Sequence, residues 1–144
     1  MKINRSASAA WSGGLKDGKG SISTESGALS AYPYGFAARF EGKKGTNPEE
    51  LLGAAHAGCF TMALSLILGE AKLTATEMNT SAKVTLEQVE GGFAITAVHL
   101  TLKAKIPGID QATFEEHAKT AKVGCPVSRA LAAVPEITME ATLL

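Results

Sequence analysis

The chain is 144 residues long and 45% hydrophobic, enough for one domain over residues 1–144 and too little for a second independent core. Lysine plus arginine equals aspartate plus glutamate at 14 each, with a pI near 6.8, so the charge excludes the basic footprint of a nucleic-acid or anionic-membrane binder. A neutral small molecule or a protein partner fits better. The opening MKINRSASAAW has no apolar run behind its charges, so no secretory signal is expected and the cytoplasm is the expected compartment. Two cysteines in a reducing compartment seldom form a static disulfide, which leaves redox chemistry, metal binding or packing to account for them.

Taken in chain order, the N-terminal third reads as short antiparallel strands. They run from Met1 to Trp11, through Gly13-Gly14 and Asp17-Gly18 turns to Ser21–Thr24, and on to a short apolar run ending at Arg39 and Phe40. Asn47-Pro48-Glu49-Glu50 is a helix start: Asn47 caps, Pro48 takes the first helical position and Glu50 closes a capping box. The helix is expected to run to about Leu68, with Gly69 ending it. Its segment from Leu51 to Gly69 carries no formal charge and reaches the length that marks a candidate membrane span, about 18 residues. Its Ala, Gly, Ser and Thr content, the histidine inside it and the charged strand-like flanks favour a helix buried in a globular core.

Ala82, Val84 and Leu86 then alternate with polar residues, and Glu90-Gly91-Gly92 turns the chain. In the returning strand Val98, Leu100, Leu102, Ala104 and Ile106 share one face. Asp110 caps a second helix to about Val123, Gly124 breaks it, and Cys125-Pro126 starts a short third helix that Pro135 is expected to end. Ile137, Met139, Ala141 and Leu143 alternate as a last strand. The class is α+β, with curved antiparallel sheet around a long buried central helix. One sheet cannot cover a helix that is apolar all round, so a second copy of the chain is expected to complete its burial as a homodimer.

Cys125 stands where the amides of a helix N-terminus converge, a position that favours thiolate over thiol; the alternative is a plain turn cap. Cys59 lies mid-helix among Ala57, Gly58, Phe60 and Met62, where burial alone raises a thiol's pKa and makes it a packing residue. A free thiol with pKa near 8.5 is only about 3% ionised at pH 7, and bringing it to about 6 takes roughly 3.4 kcal/mol of preferential stabilisation. One desolvated guanidinium supplies that much. Arg39, flanked by apolar residues, is the best-placed arginine, and Glu49, which the capping box does not use because Glu50 closes it, is the candidate carboxylate for it. The bland reading makes them a surface charge and a helix-dipole carboxylate. Glu49 and Cys59 are ten positions apart on one helix, about 15 Å along its axis, so a site that uses both draws on two chains. An antiparallel pair of these helices, crossing at Ala54, Ala55 and Gly58, would bring them together. His56 is a further candidate base, which opens a hydrolase or acyl-transfer alternative, although a lone histidine in an apolar helix is ordinarily a core residue. His56, Cys59, His117 and Cys125 lack the CxxC or HxxxH spacing of a zinc site, so no metal is expected, and Met62 is most simply a wall of an apolar pocket.

TNPEELLGAAHAGCF at 46–60 and VGCPVS at 123–128 resemble the paired-cysteine signature of the osmotically inducible protein C and organic hydroperoxide resistance superfamily, over nearly the whole chain. The resemblance implies an intertwined homodimer with active sites at the interface, and a peroxidase preferring organic hydroperoxides, with no cofactor. It implies that Cys59 attacks the peroxide and becomes a sulfenic acid, and that Cys125 condenses with it to a disulfide. Arg39 would orient the peroxide, Glu49 would hold Arg39, and a dithiol, a lipoylated protein in this family, would reduce the disulfide. One branch of the superfamily carries its arginine in a Gly-Gly-Arg-Asp-Gly turn. Here Gly13-Gly14-Leu15-Lys16-Asp17-Gly18 has none, which moves that role to Arg39. The competing classes are a non-redox ligand-binding or thioesterase-like protein built on the pocket around His56 and Met62, and a structural stress protein with incidental cysteines.

Overall fold

The computed structural model describes all 144 residues, in two units, Met1–Pro48 and Glu49–Leu144. In the first, strands β1 (Ala7–Ser12), β2 (Lys19–Thr24) and β3 (Tyr32–Tyr34) form an antiparallel sheet in the order β1-β2-β3. Gly13 turns β1 toward β2 at φ 90°, a left-handed conformation that favours glycine. A Cβ on Gly20 would lie 2.4 Å from the Tyr34 ring and 2.7 Å from that of Trp11, so the bare backbone lets these rings meet with centroids 5.5 Å apart. The apolar run ending at Phe40 is not a strand. It is a short helix, α1 (Phe36–Phe40), because Ala37 and Ala38 are strong helix formers and Phe36 and Phe40, four apart, bring their rings to 4.9 Å.

The second unit is organised by α2 (Pro48–Glu70). The helix starts at Pro48 as expected but passes Gly69. Its stop is Lys72, at φ 59°, whose amide donates to Gly69 O while that of Leu73 donates to Leu68 O, the paired bonds of a Schellman end. Strands β4 (Glu77–Val89) and β5 (Gly92–Lys105) form the expected hairpin, with Val89 opposite Gly92 and a bulge at Thr85/Leu86. Val98, Leu100, Leu102 and Ala104 are all fully buried on one face of β5. Asp110 caps α3 (Gln111–Gly124), its carboxylate accepting from the Thr113 amide at 2.7 Å, and that bond holds its carboxyl below the usual carboxylate range. The short α4 (Pro126–Ala130) follows, with Cys125 as N-cap. It closes at Leu131, ahead of Pro135, because the Val134 amide turns back to Leu131 O.

Strand β6 (Glu136–Leu143) adds to β5 in parallel, with Val98 opposite Ile137 and Ala104 opposite Leu143. The α+β class with antiparallel sheet thus carries one parallel pair, since the α3–α4 crossover returns the chain in the direction in which it left β5. The core of the unit joins Phe60, Leu64 and Leu68 of α2 to the β5 row and to Phe114, Ala118 and Ala121 of α3. Helix α2 approaches β4 at Gly53, where a Cβ would come within 3.2 Å of Ala82 O, and Thr61 Oγ1 shares a 2.7 Å hydrogen bond with Thr80 Oγ1. Within one chain only one face of this helix is covered: His56, Phe60, Leu64 and Leu68 are buried, while Ala54, Ala55, Gly58, Met62 and Leu66 are exposed. The helix is long and apolar enough to cross a membrane by length and composition. Its buried Phe60, Leu64 and Leu68 belong to the core of this unit, and the helix also buries the polar Glu49 and His56.

Candidate active site

The two cysteines arrive from different elements. Cys59 sits on α2 one position before Phe60, half-buried, and Cys125 is the fully buried cap of α4. Both are free thiols, and each is among the groups that set the other's proton affinity. Burial pushes the Cys59 thiol up; the Val127 amide opposes this, and Cys125 raises it further. Burial pushes Cys125 up as well, but the Ser128 amide, the Cys59 thiol, the Ser128 hydroxyl and the Val127 amide together bring it below the ordinary thiol value. No full capping hydrogen bond reaches the sulfur, so its thiolate is favoured by several partial contributions at once. Of the two sulfurs, Cys125 is therefore the one whose surroundings favour the thiolate.

Access divides the sulfurs the other way. Cys59 lines a cavity of about 700 Å³ with Met62, Ala63, Leu66 and Ile67 of α2, and Ala121 and Pro126 close its other side. Cys125 is 0% exposed and does not reach that cavity. A solute entering the apolar space meets the Cys59 sulfur first, and Met62 forms the pocket wall that its position in the helix led us to expect. The volume is that of an ordinary small-molecule site.

Arg39 lies on the exposed side of α1, its guanidinium carbon 5.4 Å from the centre of the Phe40 ring. Glu49 is 9% exposed in the first turn of α2, a deeper burial than a helix-dipole carboxylate requires. His56 is 0% exposed, and its Nε2 lies 2.7 Å from Ser128 Oγ, while its Nδ1 is buried with no hydrogen-bond partner. Burial pushes its pKa down, so it is a neutral imidazole. The histidine thus serves Ser128, not Cys59 as a base. Ser128 is the residue that sequence reasoning missed. The signal was present, because a serine three residues after a helix N-cap lies on the turn whose amides face the capping side chain. No three His, Cys, Asp or Glu side chains converge on one point.

Comparison with known proteins shows the family of the chain. The family model for OsmC-like protein matches residues 41–140. The chain is 56% identical over 140 residues to Peroxiredoxin OsmC of Escherichia coli (strain K12), covering 97% of this chain and 96% of that one. It is 32% identical over 99 residues, 68% of each chain, to the Organic hydroperoxide resistance protein of Xanthomonas axonopodis pv. citri. Among solved structures it is similar to the organic hydroperoxide resistance protein OhrB of Bacillus subtilis, with TM-score 0.67 and 27% identity over 96% of this chain and 98% of that one.

Proposed function

The chain belongs to the OsmC-like protein family, and from that membership and its two adjoining thiols we propose that it is a thiol-dependent peroxidase that reduces organic hydroperoxides to alcohols. The observation that carries the reading is the division of labour between the sulfurs: Cys59 opens to an apolar cavity and Cys125 is sealed behind it. In the proposed cycle the Cys59 proton passes to Cys125, and the Cys59 thiolate attacks the terminal peroxide oxygen. The O–O bond breaks, the alkoxide takes a proton from solvent and leaves as the alcohol, and Cys59 becomes a sulfenic acid. Cys125 then gives up its proton and its thiolate attacks Cys59 Sγ, forming the disulfide and expelling hydroxide, which takes up that proton as water.

Arg39 in this reading supplies the cation that orients the peroxide and favours the Cys59 thiolate, and Glu49 is the carboxylate that holds Arg39. The burial of Glu49 supports its part, since a carboxylate out of water requires a cation. A homodimer completes the site. Its support is the exposed face of α2, where Met62 is 76% and Leu66 66% exposed beside the small residues Ala54, Ala55 and Gly58, an apolar face that a second copy would cover. A dithiol reductant, a lipoylated protein, resets the disulfide, and the cytoplasm, where the two thiols stay reduced between turnovers, is the place of action.

Given a dithiol, the protein is expected to consume cumene hydroperoxide at least about tenfold faster per enzyme than hydrogen peroxide, because the cavity rewards an apolar substituent. A coupled peroxide assay checks this. Equal rates for the two peroxides would remove the organic preference, and no consumption of either would bring the ligand-binding reading forward.

A further inference from the structure

His56 and Ser128 have no part in the cycle just described, yet they share a buried 2.7 Å hydrogen bond, and Ser128 lies three residues after Cys125. We propose that they are a donor chain, His56 Nε2–H to Ser128 Oγ and Ser128 Oγ–H to Cys125 Sγ, that holds the negative charge on Cys125 and so sets its readiness to close and to leave the disulfide. In the terms used here Ser128 acts on the reacting sulfur directly, and His56 is a positioning residue that acts through it.

The proposed donor chain runs in one direction only. A serine hydroxyl has one proton. If Ser128 gives that proton to the sulfur, its oxygen accepts from His56 at 2.7 Å, and Nε2 is the protonated ring nitrogen. Nδ1 is then a bare lone pair, and this is the atom that lies buried without a partner. A buried acceptor left unsatisfied is destabilising, and an apolar side chain of similar shape, such as leucine, would avoid that cost in the buried row of α2. The retention of an imidazole there is explained by what Nε2 does for Ser128. Ser128 follows Cys125 by three residues at the start of α4, and its hydroxyl and amide both favour the Cys125 thiolate. The other ionisable side chain acting on Cys125 is Cys59, which delivers a proton to it. The role in disulfide chemistry rests on the peroxidase reading; the hold on the thiolate does not.

The consequences for the reaction follow from the thiolate's place in each step. In closing, Cys125 Sγ attacks Cys59 Sγ and the S–O bond breaks. In reduction, the reductant's thiolate attacks Cys59 Sγ, which faces the cavity; the S–S bond breaks, and Cys125 departs with the electron pair into the waiting donor chain.

The test separates the two layers. In the Cys59→Ser protein, where no peroxide chemistry is involved, Cys125 is titrated by the ultraviolet absorbance of its thiolate and by its rate of alkylation. Ser128→Ala and His56→Leu are each expected to lower the thiolate population near pH 7 about tenfold, while Ser128→Thr and His56→Gln, which keep a donor, recover most of it. Circular dichroism accompanies each variant, and Ser128→Ala, the smallest change, carries the test should His56→Leu fail to fold. In the protein with both cysteines, Ser128→Ala is expected, after one equivalent of peroxide, to close the disulfide from the Cys59 sulfenic acid about three- to tenfold more slowly. Superimposable titrations for all folded variants would overturn the donor chain. A shifted titration in a protein that consumes no peroxide would keep the donor chain and discard the peroxidase.

Discussion

Serine in place of Cys59 is expected to abolish consumption of cumene hydroperoxide, with loss of about three orders of magnitude or more, since a serine hydroxyl is neither ionised nor a soft nucleophile in this environment. Serine in place of Cys125 gives a different result. Cys59 still faces the cavity, so the variant is expected to reduce one equivalent of peroxide and then stop at the sulfenic acid, losing sustained turnover for want of a resolving sulfur. The asymmetry is informative because the surroundings favour the thiolate on the other sulfur. If thiolate population alone chose the nucleophile, Cys125 would attack and the two variants would exchange behaviour. In the proposed cycle burial prevents it: a fully buried sulfur cannot meet a cumyl group, so the proton moves between the thiols and the half-buried Cys59 reacts. Stopped-flow consumption in the absence of reductant, counted in equivalents per chain, distinguishes the cases.

Phe60→Ala is expected to destabilise the protein by about 3–5 kcal/mol, lowering the denaturant midpoint with little change in slope. Phe60 is fully buried where α2 meets the β5 row and Phe114, so its removal leaves a cavity among residues that regular structure holds on three sides. The effect reaches the chemistry as well. Phe60 adjoins Cys59 in sequence, and a loosened α2 changes the facing of Cys59 toward Cys125. Equilibrium urea unfolding checks the prediction, and a loss below about 1 kcal/mol would mean that this core reorganises around the gap.

Much of this arrangement is legible in the sequence. Pro48 at the start of α2, the Glu90-Gly91 turn, Asp110 as a cap and the single-face row from Val98 to Ala104 are local signals with one strong reading each, and each marks its element. FAARF is not such a signal. In five residues neither a strand nor a helix pattern completes a period, and the pairing of Phe36 with Phe40 decides for the helix. The end of α2 was misassigned to Gly69 because glycine is the usual left-handed residue, whereas Lys72 takes that conformation here. The parallel pairing of β6 depends on where the α3–α4 crossover lands, which alternation within a strand cannot tell. At the site, Cys125 was readable as a favoured thiolate from its cap position. That Cys59 is the accessible sulfur depends on the packing of α3 and α4 against α2, and the His56 to Ser128 bond spans 72 positions, beyond any local pattern.

The most direct test of the account is to treat the reduced wild-type protein with one equivalent of cumene hydroperoxide, and Cys125→Ser likewise, then map the sulfur oxidation by mass spectrometry of alkylated peptides. The account predicts a Cys59–Cys125 disulfide in the wild type and a sulfenic acid on Cys59 in the variant. Two reduced thiols in the wild type, or oxidation on Cys125 with Cys59 still free, would contradict it.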